Sequence, residues 1–266
     1  MALIRTGKWN NNGVSESIGF LLVFTMVIAG IGLVTLYGYP LLLQQQVSAD
    51  EKIMEKNMIV LQNDMKSLAY KTVPYKETSL KIGSGSLTVY NASNDASTLE
   101  VTTAGFSPDV DYSFNPGDLR YESVSAQTDV SLQNGAVLSR NLLQSGSVML
   151  AEPRWFYDSV TNTLVINIIS INSTGNISQT GIGTVQMALG ETSYNETSVS
   201  SGTGDVYVAY STSDPSQDYS LAWNNYFTNT LGMTPATLPP PSGAPGYKLA
   251  ARTLVIKKFD VNIKSV

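Results

Sequence analysis

The chain has 266 residues, a formal net charge of −5, and neither cysteine nor histidine. Without cysteine there is no disulfide framework, thiolate metal site or cysteine nucleophile, and without histidine the commonest general base and metal ligand is missing. The modest negative charge, with no cluster of Lys and Arg, argues against nucleic acid as a partner. We therefore expect a protein that is not an enzyme and binds no cofactor.

An uninterrupted apolar run from Ile18 to Leu43 dominates the N-terminal part of the chain. Its length of about 26 residues gives a helix of ~39 Å, enough to cross a bilayer core of roughly 30 Å. Arg5 and Lys8 precede the run, which predicts a cytoplasmic N-terminus and an external C-terminal part. We interpret residues 14–43 as a single membrane-spanning helix in the cell membrane.

Three fates of this apolar run are open. A secretory signal peptide has a core of 7–15 residues before a cleavage site of small residues. Val47-Ser48-Ala49 offers such a site, but the core before it is about twice that length. An uncleaved signal anchor fits the length. The third fate depends on the residues directly before the helix, Gly13-Val14-Ser15-Glu16-Ser17.

The basic leader, Gly13, the short linker with Glu16 and the long apolar helix together resemble the class III signal of archaeal type IV pilin-like surface proteins. The resemblance covers roughly residues 5–45. The sequence departs from the pattern at Asn12, which stands before Gly13 where Lys or Arg is usual.

The resemblance implies that a prepilin peptidase cuts after Gly13, removes residues 1–13 as a leader and leaves Val14 at the mature N-terminus. It implies that Glu16 neutralises the new amine of a neighbouring subunit during assembly. It also implies an assembly ATPase, a membrane platform and other pilin-like subunits as partners. Glu16 has a second interpretation, because a carboxylate in the headgroup region stabilises a helix N-terminus through the helix dipole.

Residues 44–72 form a predicted amphipathic stem. Apolar residues recur at spacings of 7, 4, 3, 4 and 3, which is typical of a heptad seam. These residues are Val47, Met54, Met58, Leu61, Met65 and Leu68. Polar residues between them, among them Asp50, are expected to face water, and Pro74 forbids continuation of the helix.

Residues 78–266 are predicted to form an extracellular β-rich domain. Two alternating runs, Leu80–Ile82 and Ser86–Tyr90, flank Gly83-Ser84-Gly85 and indicate a hairpin. Further short alternating runs predict strands near residues 99–102, 119–124, 135–143, 148–151, 163–171, 183–189, 205–210 and 252–266. The fold class is therefore α+β, with a long N-terminal helix followed by an antiparallel, sandwich-like β domain.

Two segments of this domain differ from the strand pattern. Asp214 is a candidate N-cap of a helix with Pro215 in its first turn, and the aromatic stripe of that helix is expected to pack in the core. Residues 234–246 contain five prolines and are expected to form an exposed loop that cannot join a sheet.

Four Asn-x-Ser/Thr sequons follow the apolar helix and are glycosylation candidates: Asn91, Asn172, Asn176 and Asn195. Two acid pairs, Asp109/Asp111 and Asp214/Asp218, offer oxygen ligands for Ca²⁺ but equally suit turns and caps.

The sequence thus predicts a pilin-like structural subunit of an archaeal surface filament, processed at its leader and assembled through its N-terminal helix. The alternative is an uncleaved single-pass surface glycoprotein with a role in binding or adhesion. An ectoenzyme that uses two carboxylates is the third interpretation.

Overall fold

The computed structural model describes residues 12–71, 73–123, 125–144, 146–175 and 177–266, with only the backbone described for residues 12–16. The chain divides into two compact units, one ending at Ser48 and the other running from Ala49 to Val266. The fold class predicted from the sequence is confirmed, because a long apolar N-terminal helix precedes a β-rich domain with largely antiparallel sheets.

Two helices make up the N-terminal part, α1 (Asn12–Leu33) and α2 (Tyr39–Lys71), with a π-helical turn at Val34–Gly38 between them. The π turn ends two residues before Pro40, which has no N–H to donate to the preceding turn. The Tyr39 N–H bonds to the Val34 carbonyl, five residues back. The irregularity in the helix therefore has a local cause.

The C-terminal part of α2 carries the predicted seam. Met54, Met58, Leu61, Met65 and Leu68 are all completely buried in the core of the second unit, which confirms this part of the stripe. The helix ends at Lys71, shortly before Pro74 as expected.

The prediction that Asp50 faces water is wrong. Only 8% of its surface is exposed, and its carboxylate lies 3.6 Å from the Lys81 ammonium. Gly83, at a φ of +73°, makes this approach feasible, because a Cβ at that position would lie 2.9 Å from Asp50 Cγ.

The rest of the described regular structure consists of fourteen strands, a short helix α3 (Ser220–Asn225), a 3₁₀ turn at Pro215–Gln217 and a π-helical turn at Tyr226–Thr230. The strands are β1 (Tyr75–Tyr90), β2 (Ser97–Ala104), β3 (Asp111–Phe114), β4 (Asp118–Ser123), β5 (Thr128–Gln133), β6 (Ala136–Asn141), β7 (Ser147–Ala151), β8 (Phe156–Asp158), β9 (Thr163–Ser173), β10 (Ile177–Ser198), β11 (Gly204–Thr212), β12 (Thr234–Thr237), β13 (Pro245–Ala251) and β14 (Thr253–Ser265).

The strands form two sheets. The larger has nine strands in the order β7-β6-β5-β4-β1-β10-β14-β9-β8, and the smaller has five in the order β12-β13-β11-β2-β3. Among the described strands, the pair β9 and β14 is parallel, in the register Thr163 opposite Thr253, while the other pairs are antiparallel.

The nine-stranded sheet has a hydrophobic core on each face. On one face, the seam of α2 packs against residues such as Ile169 and Ile171 of β9. On the other face, Ile166 and Ile168 of the same strand belong to a core shared with the five-stranded sheet and α3. Alternate residues of a strand point to opposite faces, so one strand supplies both cores.

The hairpin expected at Gly83-Ser84-Gly85 is wrong. The strand β1 is continuous through these residues, and both of its halves pair with β10, with Lys81 opposite Ile182 and Ser86 opposite Thr180. The register shifts on both sides of Gly83 mark a bulge. A glycine at positive φ is suited to a bulge as well as to a turn, so the local signal was ambiguous.

The prediction that residues 234–246 cannot join a sheet is wrong at both ends. The strand β12 pairs with β13, with Pro235 opposite Tyr247 and Thr237 opposite Pro245. Proline is tolerated here because β12 is an edge strand and Pro245 is the first residue of β13.

The helical segment after Asp214 is shorter and more broken than expected. Asp214 caps a 3₁₀ turn at Pro215–Gln217 by accepting a hydrogen bond from the Ser216 N–H, and α3 then continues into a π-helical turn at Tyr226–Thr230. The aromatic stripe is buried, as predicted: Tyr219, Ala222, Trp223, Tyr226 and Phe227.

Candidate functional site

The apolar helix is the first candidate functional element. In the part of the chain that the structure describes, one helical stretch, Ser17–Lys71, is long and apolar enough to cross a membrane, and the apolar window is not buried at all. The large apolar side chains from Ile18 to Leu43 are exposed by 43% to 74%. Such a surface requires lipid or other apolar helices around it. The helix is consistent with a single-pass membrane segment.

The residues predicted for processing stand at the start of this helix. The backbone of α1 begins at Asn12, so the Gly13–Val14 peptide bond lies in its first turn. The side chains of Val14 and Glu16 lie outside the described residues. Cleavage after Gly13 and the pairing of Glu16 therefore stay predictions.

The four sequons differ in accessibility. Asn195, on β10, is exposed, and Thr197 of the same sequon donates to the Pro108 carbonyl at 2.7 Å. Asn91 is half-buried, with its side-chain amide donating to the Ser173 carbonyl at 2.9 Å.

Asn172 is also half-buried, on β9, and Asn176 lies outside the described residues. Of the three described sequons, Asn195 presents its amide most openly.

The acid pairs have local structural roles. Asp109 accepts hydrogen bonds from the Phe106 N–H at 2.8 Å and from the Thr103 hydroxyl at 3.3 Å. Asp214 caps its 3₁₀ turn, and the bonds from Ser216 lower the pKa of its carboxyl. Among the described residues, no group of three or more acidic, histidine or cysteine side chains is placed to hold a metal ion. The turn and cap interpretation fits both pairs.

A buried charge cluster on β4 was not predicted. Arg120 is 2% exposed and Asp118 fully buried, and the guanidinium donates from Nε to Asp118 Oδ2 at 2.7 Å. Arg120 also donates to Gln217 Oε1 at 2.9 Å, and its Cζ lies 4.5 Å from the centre of the Tyr90 ring. The Ser131 hydroxyl donates to Asp118 Oδ1 at 2.6 Å. Arg120 thus ties the nine-stranded sheet to the segment before α3.

Two further carboxylates lie in the field of this pair. Burial, and then the negative charge of Asp118, raise the pKa of Asp95 to about 6. Burial likewise raises the pKa of Asp129 to about 6, although Arg120 opposes the shift. Desolvation also raises the pKa of Asp118, against the attraction of Arg120.

This cluster is built for stability rather than for chemistry. Arg120 is hydrogen-bonded through Nε and Nη2, its Nη1 lies 3.7 Å from Glu122 Oε1, and the pair with Asp118 has almost no contact with solvent. The one sequence signal for it was the alternation Asp118, Arg120, Glu122, which places three charges on one face of a strand. No substrate has access to these groups.

Comparison with known proteins places the chain in a family but gives it no function. No curated protein and no solved structure matches the sequence. One family model matches residues 12–263, and that family is described as a family of unknown function, DUF7289. Because the match extends over most of the chain, including both the apolar helix and the β-rich domain, the protein belongs to this DUF7289 family.

Proposed function

We propose that the protein is a pilin-like structural subunit of a surface filament. Its leader, residues 1–13, is removed after Gly13, and the helix that begins at Val14 then packs against those of neighbouring subunits. The β-rich domain stays outside the cell, and the helix crosses the membrane before assembly. A prepilin peptidase, an assembly ATPase and a membrane platform are the partners that this process requires.

The observation that carries the proposal is the exposed apolar surface of residues Ile18–Leu43, directly behind the Gly13-to-Ser17 motif. Lipid tails and a bundle of apolar helices are similarly apolar, so one surface serves both the membrane-inserted and the assembled state. For the same reason, transfer between the two states gains little hydrophobic free energy. An external energy source, the assembly ATPase, has a clear physical role.

The first test is the mass of the full chain extracted from membranes after co-expression with a prepilin peptidase. We expect a polypeptide that begins at Val14. The variant Gly13→Leu should keep residues 1–13, because a bulky side chain then precedes the scissile bond. The control variant Gly13→Ala should be processed, since the resemblance to class III signals implies cleavage after either glycine or alanine. A wild-type chain that still begins at Met1 or Ala2 would refute processing.

The second test concerns assembly. Processed wild-type protein should appear in the fraction sheared from cells, whereas Glu16→Gln should be processed but reduced in that fraction. Equal amounts in the sheared fraction would remove the pairing role from Glu16 and leave its interaction with the helix dipole.

The alternative function is an uncleaved single-pass surface protein that binds or adheres. The residue that favours it is Asn12, which stands where the class III signal usually has Lys or Arg. The same mass measurement separates the two functions, because this alternative requires residues 1–13 to remain attached.

A further inference from the structure

An open groove lies on the face of the nine-stranded sheet that also carries α2. The helix crosses this face from β1 to β14, since Asp50 contacts Lys81 of β1 near one end and Tyr70 meets Phe259 of β14 near the other, with ring centroids 5.3 Å apart. The helix ends at Lys71, and Tyr194, two residues beyond the partner of Phe259 on β10, is exposed.

The groove has a volume of about 450 Å³. The side chains that matter for a ligand are Tyr70, Arg154, Phe156, Asn167, Tyr194 and Lys257. This volume falls within the range of sites that bind small ligands, roughly 300–1,000 Å³.

The groove contains two cations without acidic partners. In the described ranges of the chain, no carboxylate lies within 4.0 Å of Arg154 or Lys257. Each instead lies over an aromatic ring, with Arg154 Cζ 4.7 Å from the centre of Tyr70 and Lys257 Nζ 5.9 Å from that of Tyr194. The neighbouring Glu196 accepts a hydrogen bond from the Tyr194 hydroxyl. In a protein of net charge −5, this pair of cations is a local positive site.

The backbone at Arg154 is fixed before any ligand binds. The side-chain amide of Asn167, itself 4% exposed, donates to the Arg154 carbonyl. The next residue, Trp155, is buried and donates from its indole to the Asn167 carbonyl at 2.7 Å. The backbone that carries Arg154 therefore needs no ordering when a ligand binds, and the Tyr70 ring already supports the guanidinium.

Two aromatic rings flank the cations and face solvent. Phe156 is 48% exposed and Tyr194 is 59% exposed. They lie on β8 and β10, three strand spacings apart, which corresponds to about 14 Å. The negative face of an aromatic ring attracts the weakly positive C–H groups on the flat side of a sugar ring. The planar guanidinium of arginine and the ammonium of lysine both pair with carboxylates.

We propose that this groove binds an acidic polysaccharide whose sugar rings carry carboxylates. Arg154 and Lys257 pair with the carboxylates, while Tyr194 and Phe156 pack against the sugar rings. A nucleic acid would need a longer track of cations along its phosphates. An uncharged apolar ligand would cover both cations without pairing them, which is unfavourable. The inference is independent of whether the leader is removed.

The test is binding of the detergent-solubilised full chain to polygalacturonate at low salt, measured by titration calorimetry. We expect binding that weakens in high salt, because the charge pairs are screened. Arg154→Gln and Lys257→Gln should each weaken binding about tenfold, the effect of losing one charge-assisted contact. Tyr194→Ala should weaken it as well. Near-UV circular dichroism checks that each variant is folded.

Lys258→Gln is the matched control, because Lys258 neighbours Lys257 on β14 and its side chain lies on the opposite face of the sheet. It should bind as the wild type does. Methyl-esterified polygalacturonate, with the same backbone and no charge, should not bind.

Two groups of results would overturn the proposal. Equal binding by the wild type and the groove variants would show that the groove is not the site. If polyglutamate binds as tightly as polygalacturonate or more tightly, the groove is a site for an acidic peptide. If dextran sulfate does so, the groove is a site for a sulfated ligand.

Discussion

Mild acidification should stabilise the β-rich domain, because buried carboxyls, Asp95 and Asp129 among them, bind a proton more tightly when the chain is folded. The pKa of Asp95 and the pKa of Asp129 are both raised to about 6 from an ordinary value of 3.8. A group with a raised pKa contributes stability that is complete below its unfolded pKa and is lost as the pH rises through its folded pKa. The gain therefore develops as the pH falls from 7 towards 4.

The magnitude follows from the two pKa values. Between pH 7 and pH 5, one carboxyl with a folded pKa of about 6 contributes about 1.3 kcal/mol, so Asp95 and Asp129 together contribute about 2–3 kcal/mol. Both side chains are more than nine-tenths buried. Solvent therefore screens these shifts only weakly.

The assay is urea unfolding of the full chain in one detergent at pH 7, 6 and 5. Fluorescence reports the transition in a Trp9→Phe background, so that the signal comes from Trp155 and Trp223 in the domain core. The variant Asp95→Asn should lose about 1.3 kcal/mol of the increase between pH 7 and pH 5.

The control variant is Asp158→Asn. Hydrogen bonds from Thr161 lower the pKa of the Asp158 carboxyl, so it titrates below the range tested. This variant should keep the full increase. The reasoning would be refuted if the free energy of unfolding of the wild type stayed constant or decreased as the pH falls from 7 to 5. It would also be refuted if the free energy of unfolding of Asp95→Asn rose as steeply as that of the wild type.

Three substitutions test the packing by the same urea assay. Arg120→Met leaves the Asp118 carboxylate buried without its cation and should lower the free energy of unfolding by about 3–5 kcal/mol. The double variant Arg120→Met/Asp118→Leu should regain part of this loss. An equal loss in the single and the double variant would contradict this account of the pair. Gly83→Ala should cost about 1–3 kcal/mol because of its positive φ and its contact with the helix, while Gly175→Ala, with no atom near its Cβ, should be neutral. Met58→Ala should cost about 2–5 kcal/mol, and a loss under 1 kcal/mol would show that the seam is loosely packed.

The helical seam was predictable because its signal is local. Spacings of three and four residues place Met54 to Leu68 on one side of α2, and no distant residue is needed to see this. The burial of Asp50 was not predictable in the same way. It depends on Lys81 and on the bulge at Gly83, which are about thirty residues away along the chain.

The pairing of strands was predictable only in part. Alternation located most of the longer strands, but it does not identify their partners. The residues around Gly83 fit a hairpin locally, and only the length of β10, which pairs with both halves of β1, shows that they form a bulge. Pro235 led us to predict a loop, because proline is tolerated only in edge strands, at the start of a strand or at bulges. Nothing near Pro235 in the sequence shows that β12 is an edge strand.

The groove was invisible in the sequence, because its members are ordinary residues far apart in the chain and no spacing connects Tyr70 with Arg154 or Lys257. One local signal nevertheless accounts for the edge of the groove at the helix end. Pro74 limits α2 to Lys71, and Tyr70 near this end contacts Phe259 of β14, which lies two residues from Lys257, the partner of Tyr194. One or two further helical turns, each about 5.4 Å, would cover that pair of residues. The same proline that ends the stem therefore leaves the two cations and their aromatic neighbours open to solvent.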